Sequence, residues 1–304
     1  MSFAAHRTRK RFGQHWLTDA AVLDRIVAAA DLRQGERVLE IGPGRGALTE
    51  RLLQTPVAAV GAVELDRDLV QGLHQRFDAD ARFALLQGDA LSVPLPAADK
   101  VVANIPYNIT GPLLERLVGR LDRPVAEPYR RLVLLVQQEV GERIRCSPGS
   151  SAYSALSVRM QLLGDCRPVC AVPPRCFQPP PRVQSEVILI EPFPPELRPE
   201  LGLARAAEQL LRRCFAARRK MLRNSLGGLV GAAELQHIAS GIGISLEQRP
   251  QEIAPRAWLE LAAGLQRASE SSPKPSSDDA GQRRVDPMVD RRAEGRRAEG
   301  RRDG

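Results

Sequence analysis

The sequence predicts an α/β fold in which a parallel sheet flanked by helices is followed by a small all-helical domain. Three observations carry this. Short β-rich runs alternate with helical stretches from about residue 20 to residue 190, and the glycine turn Gly42-Pro43-Gly44-Arg45-Gly46 joins the first such run to a helix. Strand signals then stop at the cluster Pro192, Pro194, Pro195 and Pro199. Alternation of this kind builds βαβ units with right-handed crossovers. The proline cluster divides the chain into a sheet domain over 1–191 with a basic opening segment over 1–18, a helical domain over 192–267, and a tail over 268–304.

Each element has its own signature. Val22, Leu23, Ile26 and Val27 share one face of a helix over 20–30, with Thr18 as its expected N-cap. Strands are expected at Arg37–Ile41, Val57–Val63, Ala81–Leu86 and Lys100–Ala103, with helices at Ala47–Leu53 and Asp68–Arg76 between them. A helix beyond Pro112, built on Leu113, Leu114, Leu117 and Val118, leads to a buried strand at Leu132–Val136. Arg167–Val172 and Glu186–Ile190, separated by the proline-rich stretch 173–181, would complete the sheet. Pro255 suits the first turn of a last helix carrying Trp258, Leu259, Leu261 and Ala262.

Composition narrows the function. With 304 residues and 43% hydrophobic side chains, the chain can bury a full core. No run approaches the roughly 18 apolar residues of a membrane span, and the basic start lacks the apolar stretch of a secretory signal, so the expected location is the cytoplasm. Five cysteines without a C-x-x-C pair are expected to be reduced structural thiols, with no metal site. A net charge of +8 and a pI of about 9.8 favour a polyanionic partner. From Ala268 onward nine Lys/Arg stand against eight Asp/Glu, so the basic excess belongs to the folded part. The tail, rich in Ser, Pro, Asp and Arg, is expected to be disordered.

The stretch Val38-Leu39-Glu40-Ile41 followed by G-x-G-x-G puts flexible backbone at the carboxyl end of the first strand, where a nucleotide-type ligand can approach closely. Glu64 follows Gly42 by 22 residues at the end of the second strand, a position from which a carboxylate takes both ribose hydroxyls. Asp89, after Gly88 at the third strand end, suits an adenine amino group. A dinucleotide would fit the same frame.

The fourth strand separates the two readings. It ends in Asn104-Ile105-Pro106-Tyr107, an amide, a proline and an aromatic ring with no titratable acid or base. That set suits hydride transfer poorly and methyl transfer to an aromatic amine well. If the Asn104 side-chain oxygen and the Ile105 carbonyl accept the two amine hydrogens, the nitrogen lone pair can leave the ring and meet a methyl group. Tyr107 would stack on the base, and catalysis would rest on orientation and on stabilising charge at nitrogen. Phe177, in Phe177-Gln178-Pro179-Pro180-Pro181-Arg182-Val183-Gln184-Ser185, would hold a flipped-out base from its other side.

These motifs resemble the KsgA/RsmA family of small-subunit (16S) ribosomal RNA adenine N6,N6-dimethyltransferases, over about residues 7–267. The resemblance rests on the stretch Arg9 to Leu17, the glycine turn, Glu64-Leu65-Asp66, Gly88-Asp89-Ala90, Asn104 to Asn108, Phe177 to Ser185 and Arg218 to Leu226. It implies a Rossmann-like class I fold, S-adenosylmethionine as methyl donor without a metal, and four transfers onto two adjacent adenosines in a hairpin loop near the 3′ end of that RNA. A role in late 30S assembly, a pre-30S particle as partner and a monomeric state go with it.

Carried over by position, His15, Leu17, Gly42, Glu64, Asp89 and Asn104 would hold the cofactor, and Asn104, Tyr107 and Phe177 would serve the reaction. His15-Trp16 stands where many members have Asn-Phe, and Ile105 where Leu is usual. Arg7, Arg9, Lys10 and Arg11 would grip RNA phosphates, as would Arg219 and Arg223, which with Arg212 follow helical spacing. Two other readings are a relative modifying large-subunit rRNA, against which the Arg9–Leu17 and Arg218–Leu226 segments argue, and a non-catalytic assembly factor, disfavoured by the intact cofactor positions.

Overall fold

A seven-stranded sheet organises the computed structural model, in which residues 15–271 are described. The chain enters through a short strand β1 (Trp16–Leu17) and helix α1 (Ala20–Ala30). It continues as β2 (Arg37–Ile41), α2 (Ala47–Leu53), β3 (Ala59–Glu64), α3 (Arg67–Phe77), β4 (Phe83–Gln87), β5 (Lys100–Asn104) and α4 (Thr110–Val118). A hairpin of β6 (Gly119–Arg120) and β7 (Arg123–Pro124) precedes β8 (Arg131–Gln137), α5 (Gln138–Arg145) and α6 (Ala155–Leu163). Then come β9 (Gly164–Val172), β10 (Phe177–Gln178) and β11 (Ser185–Pro192), and finally α7 (Leu201–Ala216), α8 (Leu222–Leu226), α9 (Ala232–Gly241) and α10 (Pro255–Ser271).

The strand order is β4-β3-β2-β5-β8-β11-β9. The β2–β3, β2–β5, β3–β4 and β5–β8 pairs are parallel, as expected. β11 is antiparallel to both of its neighbours, so the sheet is mostly rather than wholly parallel. The cause is the connection: the segment between β9 and β11 contains no α-helix to carry the chain back over the sheet, so the strand returns reversed.

Successive side chains of a strand point to opposite faces, and here both faces are covered. Val38, Val60, Val102, Val133 and Leu135 pack under α1, α2 and α3 with Leu23, Ile26, Leu52 and Leu73. Leu39, Ile41, Val101, Ala103, Leu132 and Leu134 face the other way, into a core continued by α4, α6, α7 and α10 through Leu114, Val158, Leu211 and Trp258. The continuous apolar character of β2, β5 and β8 follows from burial on both sides.

Three local expectations change. Asp19, not Thr18, caps α1: its carboxylate accepts the Val22 N–H at 3.0 Å, while the Thr18 hydroxyl donates to the Cys176 carbonyl. Helix α10 takes in the first four residues of the tail expected from 268, with Ala268 still buried. Residues 272–304 of that tail lie outside the described residues. Arg212 lies on α7, Arg219 in the turn after it and Arg223 on α8, so the three do not share one helical face.

Candidate functional site

Of the candidate site residues, His15, Gly42, Glu64, Asp89, Asn104 and Tyr107 converge at the carboxyl ends of β2, β3, β4 and β5. There a cleft of about 350 Å³ is lined by His15, Gly42, Gly44, Glu64, Asp89, Asn104 and Tyr107, joined by Ile41, Leu65, Asp66, Ala90, Ile105, Pro106 and Asn108. Volume and lining suit a nucleotide-sized ligand.

The glycine turn is a floor that only glycine can build. Gly42, Gly44 and Gly46 all have positive φ, at 68°, 60° and 80°. A Cβ on Gly44 would stand 3.2 Å from Trp16 Cδ1, and one on Gly46 would meet the Phe77 ring at 2.5 Å. Trp16 therefore lies on the turn, and the Arg45 guanidinium stacks over its ring at 3.6 Å.

Glu64 ends β3 buried, with Oε2 accepting the Gly44 N–H at 3.1 Å and Oε1 the Asp66 N–H at 2.8 Å. One carboxylate thus ties the glycine turn to the start of α3. Burial pushes its pKa up, against the two N–H donors that favour the charged form. Beneath it, Glu40 is fully buried on β2, and the Thr49 hydroxyl donates to its Oε2 at 2.6 Å. Burial, with Glu64 nearby, pushes the Glu40 carboxyl up to about 8, so it is largely neutral at pH 7. Asp89 accepts the Leu91 N–H at 2.9 Å, which fixes the loop after β4.

At the end of β5 the Asn104 Nδ2 donates to the His15 carbonyl at 3.2 Å. The Tyr107 hydroxyl is 2.6 Å from the Ser185 hydroxyl at the start of β11. His15 bridges the two: its ring stacks on Tyr107 at 5.7 Å and 24°, and its Nδ1 is 2.9 Å from the Pro179 carbonyl. Pairing of β1 with β10 sets Trp16 opposite Gln178 and Leu17 opposite Phe177, binding the N-terminal segment to the proline-rich loop.

Two expectations change here. Phe177 is only 4% exposed and does not line the cleft, because its pairing with Leu17 commits it to the core beneath α1; the ring against Tyr107 is that of His15. Leu17 lines a neighbouring cavity behind the glycine turn rather than the main cleft. Arg219 and Arg223 lie exposed beyond α7, with Arg223 paired to Glu247 at 3.3 Å, and neither lines the cleft. Arg7, Arg9, Lys10 and Arg11 fall outside the described residues.

The sequence reading missed the roles of Leu65, Asp66 and Ser185. Asp66 had a visible signal, an acid just before a helix, and it accepts the Asp68 N–H there. Leu65, 50% exposed at the cleft, had none beyond its place after Glu64. Among the described residues no cluster of His, Cys, Asp or Glu could hold a metal ion, and no helix is long and apolar enough to cross a membrane.

This strand order, with a glycine turn after β2 and acids ending β3 and β4, defines a class I S-adenosylmethionine-dependent methyltransferase. A family model for ribosomal RNA adenine dimethylase matches residues 5–266. The chain belongs to that family and is an rRNA adenine dimethyltransferase. It is 66% identical over 270 residues to the ribosomal RNA small subunit methyltransferase A of Parasynechococcus marenigrum (strain WH8102), covering 87% of this chain and 89% of the relative. Among solved structures, a dimethyladenosine transferase from Plasmodium falciparum superposes with a TM-score of 0.70 at 26% identity, over 84% of this chain and 98% of that one. The 23S rRNA methyltransferase ErmE shares the fold, with a TM-score of 0.66 at 23% identity over 83% and 99% of the two chains.

Proposed function

We propose that this protein dimethylates N6 of two adjacent adenosines in the 3′-terminal hairpin loop of small-subunit rRNA, acting as a cytoplasmic monomer on a late pre-30S particle. The observation that carries the reading is the orientation of Asn104. Asn104 lines the cleft with Glu64 and Asp89, and with its Nδ2 donating to the His15 carbonyl its Oδ1 is the atom left to accept from a substrate amine.

The residues present fit S-adenosylmethionine. The positive-φ glycines leave room for close approach of the ligand, Glu64 suits the ribose hydroxyls, Asp89 the adenine amine, and His15 and Leu17 the wall beside them. The bound cofactor supplies an electrophilic methyl on a sulfonium. Asn104 Oδ1 accepts one hydrogen of the substrate amine and the Ile105 carbonyl the other, so the N6 lone pair turns out of the ring toward that methyl. Positive charge that develops on N6 is stabilised by the same oxygens, and the surplus proton leaves to solvent. Tyr107, anchored through Ser185, orients the base. Phe177 supports this wall from the core. The basic N-terminal residues Arg7, Arg9, Lys10 and Arg11, with Arg219 and Arg223, supply phosphate contacts. The domain division is proposed at 191/192, with the helical part extending through α10.

The test is transfer of labelled methyl from S-adenosylmethionine to small subunits lacking the modification, followed by nucleoside analysis. N6,N6-dimethyladenosine from the 3′ hairpin is the expected product. Cofactor binding without transfer would favour an assembly factor, and transfer to large subunits alone would overturn the substrate assignment.

A further inference from the structure

We propose that Arg182 is a substrate-positioning residue that holds a backbone phosphate of the RNA strand beside the target adenosine. This rests on the Asn104–Tyr107 reading of the reaction centre.

The loop that carries Arg182 is pinned at both ends to that centre. On one side the Pro179 carbonyl bonds the His15 ring that stacks on Tyr107. On the other, Ser185 meets the Tyr107 hydroxyl at 2.6 Å, and the Gln184 carbonyl accepts the Gln138 N–H at 3.1 Å. Arg182 stands three residues from Pro179 and three from Ser185, so its Cα lies within about 10 Å of each, the span of three extended residues. Its neighbours Pro181 and Ser185 are buried while Arg182 and Val183 are exposed.

The charge is available there. No hydrogen bond or ion pair joins Arg182 to another of the described residues, whereas Arg45 stacks on Trp16 and Arg76 pairs with Glu50. Keeping an unpaired guanidinium on a loop fastened to His15 and Tyr107 costs little in water and gains when a polyanion arrives. An adenine that reaches Tyr107 brings its flanking phosphates toward the loop that Pro179 and Ser185 fasten to that centre. A guanidinium there fixes the strand without reading its sequence.

The experiment compares Arg182→Ala, Arg182→Lys and Arg33→Ala, an exposed arginine at the C-terminal end of α1, in methyl transfer to unmodified small subunits. Arg182→Ala should raise the KM for the particle roughly tenfold, the worth of one charge-assisted contact, with kcat within about twofold. Its salt slope for kcat/KM should fall by about 0.7, the value for one single-strand phosphate. Arg182→Lys should restore most of both, and Arg33→Ala should change neither. An unchanged KM and salt slope in Arg182→Ala would overturn the inference. So would weakened S-adenosylmethionine binding by calorimetry, which would mean a structural role. Failure of the underlying reading looks different: Asn104→Ala would then methylate normally.

Discussion

Asn104 and His15 are joined by a hydrogen bond from side chain to main chain, and through it a residue 89 positions upstream decides which way the amide points. An asparagine free to flip would present donor and acceptor to the substrate equally. With its Nδ2 held by the His15 carbonyl, its oxygen is left as the acceptor that the proposed reaction uses. Asn104→Ala should therefore lose about 100-fold or more in single-turnover methyl transfer, the typical cost of one oriented polar group at a reacting centre. Its affinity for S-adenosylmethionine, measured by calorimetry, should stay within a few-fold. A variant with both constants intact would mean that the amine is oriented by other groups.

In the proposed function Glu64 serves the cofactor rather than the methyl transfer, so its loss should read out differently. Two backbone N–H groups, of Gly44 and Asp66, depend on it, and on the proposed reading the ribose hydroxyls would add to its partners. Glu64→Ala should weaken S-adenosylmethionine binding about 10- to 100-fold, the worth of one or two bonds to a charged acceptor. At saturating cofactor, kcat should fall far less. Titration calorimetry beside steady-state kinetics separates the two, and a kcat loss matching that of Asn104→Ala would contradict this division of labour.

What could be read in the sequence, and what could not, follows from the range of the interactions. The glycine turn, Glu64, Asp89 and Asn104 each end a strand, so local pattern locates them, and a parallel array brings strand ends together. Phe177 was misread because its burial depends on pairing with Leu17, 160 positions away, which no local signal reports. Helices α5 and α6 escaped notice for opposite reasons. α5, Gln-Glu-Val-Gly-Glu-Arg-Ile-Arg, is short and mostly polar, with only Val140 and Ile144 to mark its inner face, and α6 carries apolar residues nearly all round and so shows no stripe. The reversal of β11 follows from its helix-free connection, of which the proline-rich stretch 173–181 was the one local sign.

Glu40 gives the protein a pH dependence with a definite sign. In the unfolded chain its carboxyl loses its proton near 4.5, and in the fold only near 8. Between those values the folded state binds more protons, so this group makes stability fall as pH rises, by at most about 1.4 kcal/mol per pH unit. Glu40→Gln, which keeps the shape and can still bond Thr49, should flatten that part of the profile. Urea unfolding at pH 5, 6, 7 and 8 would show it, and parallel curves for the two proteins would mean that Glu40 is ionised in the fold.

Glu208 joins the helical region to the rest of the protein, and its loss should be the most damaging of these changes to stability. It lies on α7 with its side chain 1% exposed. Arg159 of α6 donates to both of its oxygens, at 2.9 and 2.8 Å, and Arg212, one turn along, adds a third bond at 2.9 Å. Arg120 of the β6–β7 hairpin comes within 3.5 Å, and Asp122 beside it pairs with Arg120 and Arg212. A single buried carboxylate thus neutralises guanidinium groups from three elements. Removing it leaves the partly buried Arg159 and Arg120 facing each other without their common counter-charge. Glu208→Ala should cost about 3 kcal/mol, the lower end for breaking a buried pair because water still reaches the arginines. Glu208→Gln should cost less, since the amide oxygen keeps one or two of the bonds. Because the cluster lies away from the cleft, S-adenosylmethionine affinity below the melting transition should be unchanged. A melting temperature within about 1 °C of the parent would mean that these ion pairs contribute nothing net.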